Sequence, residues 1–379
     1  MLVLLIEQVC GPDSNFNRPS INFFDSPRPH FCIGSDSETI QPGSYQFIRS
    51  YCLDSNKNVY IADEYNNRID KFNSNGDYLL TFGGVNHESF HLPGWLETFA
   101  INSKGDLISY CNLKSVFLRF LGNGKEFSTI DAPSGLEAMV IKKLKYDGFD
   151  TLYILAFKEG NGYCLLRFTG DMTSYSVIHA EKRQVRPSNV DMIPDFTFDS
   201  IGNCYITDTV EYRVFVYSPQ GILKNTFFKE KKKYRILESD FHYLVRPGTI
   251  RKLPGSENIL KDLTSSARFF PAIFGINIDR NRIYLWTSNM DSERRYIVDV
   301  YDLNFNNLCS TAWYNLMGYN LAHVENGKLF IPNIEPNDYE FKNDVGRFSL
   351  FNIPYKLEVF TISSGICADP SHTENCHIE

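Results

Sequence analysis

No run of apolar residues in this 379-residue chain is long enough to cross a bilayer as a helix. Excess positive charge is missing as well. Lys and Arg number 38 against 45 Asp and Glu, and the net charge of −7 argues against a nucleic-acid backbone as the main partner. The sequence contains no Cys-x-x-Cys, no haem-attachment motif and no Cys/His spacing expected of a zinc site. It also lacks a nucleophile elbow, a phosphate-binding glycine loop and a paired-carboxylate motif. No function class that advertises itself by a local motif is therefore marked. Aromatic residues, by contrast, are plentiful. They make up 15% of the chain (30 Phe and 22 Tyr among them) and, with 24 Gly and 17 Pro, suit many short strands joined by tight turns.

Nine cysteines are many for a cytosolic protein, and an odd number cannot all pair within one chain. Cys52, Cys111 and Cys204 fall inside predicted strands, where cysteine serves as a small buried apolar residue. Cys10 with Cys32, and Cys367 with Cys376, are the pairs that could bridge. The start, Met1-Leu-Val-Leu-Leu-Ile6, is apolar but short and lacks a basic flank. It reads either as the remnant of a signal peptide, with Cys10 then a candidate lipid-anchored cysteine, or as an ordinary first strand or unstructured start. Glu7-Gln8-Val9 fits a lipobox poorly.

The dominant feature is a repeat. The stretch from Asn58 to Phe82 is echoed without a gap from Asn203 to Phe227, so that Asp63, Arg68 and Gly76 align with Asp208, Arg213 and Gly221, 145 residues on. Each copy reads as strand, turn, strand, turn, strand, and Tyr51-Cys-Leu-Asp54 supplies a strand before the first copy. Gly76 and Gly221 stand where a turn requires positive φ. Weaker copies start near Asp106, Thr151, Arg282 and Lys328, the last running to Phe351. Phe72, Phe120, Phe168, Tyr217, Tyr301 and Phe351 recur at equivalent places. Six units of about four strands predict an all-β fold, a six-bladed β-propeller of four-stranded antiparallel blades. Seven blades is the alternative if the long insertion 228–271 hides a degenerate one. The expected organisation is an N-terminal segment 1–44 that closes the ring with a strand near Phe23 to Cys32, a propeller at 45–362, and a polar tail at 363–379.

The strong copies resemble NHL repeats, which place an aliphatic-Tyr-Ile-x-Asp run four residues before Arg-Ile/Val, an aromatic and a turn glycine. Asp63 with Arg68 and Asp208 with Arg213 carry that resemblance, and Gln41-Pro-Gly-Ser-Tyr45 is similar to the approach to the first blade in bacterial six-bladed propeller proteins. Many proteins of that kind are extracytoplasmic lipoproteins, so the resemblance implies a periplasmic or cell-surface location. The repeated Asp and Arg read as a structural signature, because catalytic groups have no need to recur around a ring.

Two function classes follow. The first is a non-enzymatic protein- or ligand-binding scaffold without a cofactor, contacting a protein partner through the insertion. There Lys231, Lys232, Lys233, Tyr234, Phe241 and Tyr243 combine charge with aromatic surface. The alternative is a metal-dependent hydrolase or lyase using Ca or Zn at the propeller channel. The amidating lyases, with which the repeats share a ring type, place a zinc-binding histidine after a proline, where this chain has Pro93-Gly94. His87 and His91 are the closest histidine pair outside the tail, and a third ligand is missing. A calcium site of the lactonase type would draw on Glu97, Asn102, Asp195 and Asn277. Animal NHL domains bind RNA on a basic face. Here the basic stretches Lys142–Lys145 and Lys229–Lys233 read as solvated strand ends or loop, and no nucleic acid is expected.

Overall fold

The computed structural model describes residues 31–33, 45, 48–63, 68–83, 98–111, 114–124, 126–181, 193–208, 210–231, 272–290, 296–313, 323–325, 328–333 and 356–361. After a first strand, β1 (Phe31–Ile33), the chain lays down strands in groups of four. Blade 1 holds β2 (Ile48–Leu53), β3 (Val59–Asp63), β4 (Arg68–Phe72) and β5 (Tyr78–Gly83). Blade 2 holds β6 (Phe99–Ile101), β7 (Leu107–Cys111), β8 (Val116–Phe120) and β9 (Phe127–Asp131). Blade 3 has β10 (Met139–Tyr146), β11 (Leu152–Lys158), β12 (Gly162–Phe168) and β13 (Tyr175–Ala180). Blade 4 has β14 (Phe196–Phe198), β15 (Cys204–Thr207), β16 (Arg213–Tyr217) and β17 (Leu223–Phe228). Blade 5 has β18 (Ile273–Asp279), β19 (Arg282–Met290), β20 (Tyr296–Asp302) and β21 (Asn307–Trp313). Every pairing within these blades is antiparallel between successive strands.

The fold is an all-β propeller, and the described residues form five blades of four consecutive strands rather than the six or seven expected. The last expected unit, from Lys328 to Phe351, is not a blade of consecutive strands. Instead β22 (His323–Glu325), β23 (Lys328–Asn333) and β24 (Lys356–Thr361) join β1 in one further four-stranded sheet, in the order β1-β24-β23-β22. The two ends of the chain thus share a sheet. Phe31, Cys32 and Ile33 register against Val359, Glu358 and Leu357. Pairing the termini removes two free edges and resists unravelling of the ring.

Local chemistry makes each hairpin. In four blades the first turn is closed by a side chain that accepts backbone N–H bonds two and four residues ahead. Asp54 takes those of Asn56 and Asn58, both at 2.9 Å, and Asp199 takes those of Ile201 and Asn203 at 3.1 and 2.8 Å. Asn102 and Asp147 do the same in blades 2 and 3. This Asx turn competes with strand continuation and so ends the inner strand at a fixed residue. In the two strong copies the other carboxylate oxygen accepts from Asn58 and Tyr60, or from Asn203 and Tyr205. Blade 5 instead uses a two-residue turn, with Arg280 and Asn281 at φ 49° and 61°.

Among the described residues, five apolar clusters lie between sheets, and the recurrent aromatic of the third strand sits in each. Phe72 packs with Ile33 of the closing sheet. Phe120 meets Phe82 of blade 1 at 6.0 Å between ring centroids, and Phe168 meets Phe117 of blade 2 at 5.6 Å. Tyr217 packs against blade 3 and Tyr301 meets Phe227 of blade 4 at 5.2 Å. Phe351 lies outside the described residues. The inner strands form the hub, with β2 against β6, β6 against β10, β14 against β18 and β18 against β22.

One buried titratable group sits in such a seam. His179 on β13 hydrogen-bonds through Nδ1 to the Tyr217 hydroxyl at 2.8 Å and stacks near Phe215. Burial pushes its pKa down to about 4, against a smaller opposing pull from Asp208. The unfolded chain therefore binds a proton that the folded chain refuses between about pH 6.5 and 4. Stability should fall as pH drops through that window, by up to about 3 kcal/mol. Denaturant titrations at pH 7.5, 5.5 and 4.5 should show that slope in the wild type and a flatter one in His179→Phe. Equal slopes would remove the assignment.

Gly76 and Gly221 turn the third strand into the fourth at φ 92° and 82°. A Cβ on Gly221 would lie 2.7 Å from Ile178 Cγ2. Gly221→Val should cost about 2 kcal/mol and Gly76→Val about 1 kcal/mol, read from denaturant midpoints. Unchanged midpoints in both would refute the strained turns.

Candidate functional site

The residue that opens an inner strand has a set task in this ring. In blade 2, Thr98 precedes β6. Its hydroxyl accepts the Leu144 N–H of the next inner strand at 3.2 Å, while its carbonyl accepts from Ser109 at 2.9 Å. In blade 4, Asp195 holds the equivalent place before β14. One carboxylate oxygen accepts the Ile276 N–H of blade 5 at 3.1 Å, its carbonyl accepts the Thr207 N–H at 2.9 Å, and its own N–H donates to Thr207 Oγ1 at 2.8 Å. Both residues lace one inner strand to the next. A neutral threonine suffices in blade 2.

Blade 4 adds a charge to this arrangement. The other Asp195 oxygen accepts from the Phe196 N–H at 2.7 Å and forms an ion pair with the Lys143 ammonium of β10. Two residues along the same face, Lys145 donates to the Phe196 carbonyl at 2.8 Å. Burial alone would raise the Asp195 carboxyl, but Lys143, Lys145 and the Ile276 amide outweigh it and hold it below the usual carboxylate range. The Asp195 side chain is 4% exposed and that of Lys143 is 26% exposed. A fixed carboxylate thus orients an ammonium that still meets solvent, where the inner strands of blades 3, 4 and 5 come together. The basic stretch Lys142–Lys145 is therefore not a solvent-facing basic stripe, since two of its three lysines are aimed at blade 4.

Of the other residues expected near a calcium site, Asn102 closes the β6–β7 turn and Asn277 accepts from Trp286 Nε1 at 2.8 Å inside blade 5. Glu97 lies outside the described residues, as do His87 and His91. Among the described residues no three His, Cys, Asp or Glu side chains converge. The Asp195 carboxylate already accepts from an ammonium and two backbone amides. This donor set does not fit a divalent cation, which needs several unengaged oxygens.

The repeat signature takes two forms. Asp63 and Arg68 are both buried, with Arg68 3.8 Å from Asp63 and 3.2 Å from Asp70. Asp208 instead accepts the N–H groups of Val210 and Glu211 at 2.8 and 2.9 Å, while Arg213 pairs with Glu211 and lies over Phe228. The pair is not a common constellation, and its two copies do different structural work.

A second buried carboxylate was not anticipated from sequence. Asp299 on β20 accepts from Tyr212 at 2.6 Å and pairs with Lys231; Ser310 also donates to it. Burial opposes its charge, yet Lys231, Ser310 and Tyr212 together hold the carboxyl below its ordinary value. Asp70 occupies the same register in blade 1, facing Thr81 as Asp299 faces Ser310. Lys231 lies over the Tyr212 ring at 4.3 Å, 16% exposed in its side chain, so it anchors blade 4 to blade 5 and is not a free contact residue. Lys232, Lys233, Tyr234, Phe241 and Tyr243 lie outside the described residues.

No protein-family model matches the chain, and no curated protein matches it in sequence. The NHL resemblance therefore rests on the repeat residues alone. Solved structures do share its shape. Regucalcin from Agrobacterium tumefaciens, described as a calcium-binding protein, is 10% identical with a TM-score of 0.48, over 84% of this chain and 91% of its own. A gluconolactonase from Xanthomonas campestris is 10% identical with a TM-score of 0.48, over 92% and 99%. A streptogramin B lyase is 9% identical with a TM-score of 0.44, over 83% and 78%. These three are two enzymes and a calcium-binding protein, where the sequence reading expected a non-enzymatic binding scaffold. The β-propeller fold itself rests on the strand order of the sheets.

The Lys231–Asp299 pair yields a direct test. Lys231→Met leaves a buried carboxylate without its cation and should cost about 3 kcal/mol. Lys231→Met combined with Asp299→Asn should recover most of that loss in denaturant titrations. A double variant no more stable than the single one would refute the buried pair.

Proposed function

We propose that this propeller is an enzyme of the hydrolase or lyase kind, acting at the hub of blades 3 to 5 with Lys143 as its fixed cation. One observation carries the reading. Threonine at position 98 does the lacing in blade 2, whereas blade 4 spends a buried carboxylate, Asp195, on holding a quarter-exposed ammonium at the same level. Ester or lactone hydrolysis and elimination next to a carbonyl share one demand, because negative charge grows on the carbonyl oxygen as the reaction proceeds. An ammonium already oriented by Asp195 meets that charge without reorganisation, which is the efficient form of electrostatic catalysis. Asp195 keeps Lys143 charged and aimed, and is a positioning residue. Lys145, engaged with the Phe196 carbonyl, keeps the β10 face in register with blade 4.

The finer form of the ring belongs to the same reading. With the closing sheet counted as a blade, the propeller has six. The disulfide bond at Cys309 supports an oxidising, extracytoplasmic setting.

The test is a panel of small lactones followed by pH-stat, with elimination substrates followed by the absorbance of the conjugated product. Lys143→Met should lower kcat/KM by about 100-fold or more on whichever substrate turns over. Lys145→Met, which removes the register contact alone, should lower it less. Equal rates for wild type and Lys143→Met, or no turnover across the panel, would overturn the proposal.

A further inference from the structure

Because successive strands are antiparallel, the turns after the first and third strands of a blade lie at the same end of it. At that end blades 3 and 4 hold large apolar side chains out in solvent. Phe149 in the β10–β11 turn is 65% exposed, Ile201 in the β14–β15 turn 64%, and Ile222 in the β16–β17 turn 66%. Leu223, which opens β17, is 50% exposed. The turns themselves do not need these residues. Phe149 and Ile201 each donate their N–H to the aspartate two positions earlier, and Asn56 and Lys104 hold the same place in blades 1 and 2. Ile222 likewise stands where blade 1 has Asp77. An apolar side chain has thus replaced a polar one three times, all on two adjacent blades.

These side chains form one surface across the seam. A Cβ on Gly202 would lie 2.8 Å from Phe149 Cε2 and 3.3 Å from Pro219 Cγ, so the Phe149 ring of blade 3 rests on the two turns of blade 4. Gly221 meets Ile178 of β13 in the same way, which carries the surface on past Ile222. The charged groups of these turns are engaged by their own chain. Asp147 and Asp199 are buried against turn amides, Asp150 accepts from the N–H and hydroxyl of Ser103, and Asp171 is held by Thr169 and Thr173. Lys224, just beyond Leu223, donates to Asn203 at 3.4 Å. Between the apolar residues stand Ser200, Ser218 and Gln220, which are polar and uncharged.

We propose that this surface joins two copies of the chain in a twofold dimer, turn end to turn end. Two observations choose a second copy as the occupant. The first is charge. Two chains of net charge −7 can approach only where little charge stands out, and a neutral apolar patch is complementary to itself about a twofold axis. A headgroup surface or an acidic partner would call for a fringe of cations, and Lys224 alone is near. The second is size. The exposed parts of Phe149, Ile201, Ile222 and Leu223, with Pro219 and Ile178, amount to on the order of 500 Å² of apolar surface, at the upper end of what a monomer leaves in one patch. That is more than half of the roughly 800 Å² which each partner buries in an ordinary stable interface, and the serines and Gln220 extend it. Asp195 precedes β14 and the 199–203 turn follows it, so pairing through the turns leaves the Lys143 end of both copies open.

Sedimentation velocity of the full-length protein over a range of about 1 to 100 µM reads the association directly. The expected result is a monomer–dimer equilibrium that Phe149→Glu and Ile222→Glu each weaken by about tenfold or more. Phe228→Ser, which removes an exposed aromatic at the other end of β17, should leave the dimer intact. Hydrogen exchange of the wild type supplies a reading that needs no variant. Residues 147–151, 199–203 and 218–223 should gain protection at the high concentration, and the turn end of blade 1 (73–77) should not. A wild type that stays monomeric throughout, or a dimer that survives both glutamate substitutions, would overturn the proposal. So would a monomer that binds phosphatidylcholine vesicles and loses that binding in Phe149→Glu, since the patch would then belong to a lipid surface.

Discussion

Face-to-face packing between neighbouring blades is the interaction on which everything else in this molecule depends. A four-stranded antiparallel sheet has two faces and cannot cover either by itself, so each blade is stable only between two others. The chain meets that need with one large ring at the end of each third strand. Phe72, Phe120, Phe168, Tyr217 and Tyr301 are all buried and all turned to the preceding sheet. The seams among the described residues follow the same rule and hold the inner strands around a common hub. Only there can a residue on one blade reach two others.

Charge inside this frame is used in turns, across seams and within a blade. Asp54 and Asp199 spend their oxygens on turn amides, while Asp70 and Asp299 sit at equivalent registers on blades 1 and 5 with a hydroxyl opposite. Their cations differ in origin. Arg68 comes from the same strand as Asp70, whereas Lys231 is delivered from the segment following blade 4. The Lys143–Asp195 pair departs from this pattern because its ammonium is left partly in solvent. Arg119 on Asp106 in blade 2 is also partly exposed, but the Lys143–Asp195 pair sits where inner strands meet.

Much of the fold was legible locally. The expected strands at 59–62, 68–72 and 78–82 match β3, β4 and β5 to within a residue, because strand alternation, Asn/Asp turns and turn glycines are read within a few residues. The unit beginning at Lys328 was misread for the same reason. Its first strand, β23, is where expected, but the next described strand is Lys356–Thr361 and the outermost one comes from residue 31. A closing strand near Phe23 to Cys32 was expected, but the repeat pattern did not show which C-terminal strand it would pair with, and it pairs with β24. The candidate site was less legible still. Asp195 was noted as a polar residue opening an inner strand, yet nothing marked Lys143 as its partner 52 residues away.

The sequence by itself determined the unit: an all-β chain, the aromatic that seals each seam, and the turns that end each strand. Those properties follow from backbone sterics, side-chain period and turn chemistry, which act over fewer than about ten residues. Tertiary structure alone decided how many consecutive-strand blades there are, the strand order of the closing sheet, and which charges meet. The Asp–Arg signature shows the division, since the same two residue types form a buried pair at 63 and 68 but part company at 208 and 213. Whether a charge finds its partner depends on the neighbouring blade it is packed against, and that neighbour is chosen by closure of the ring.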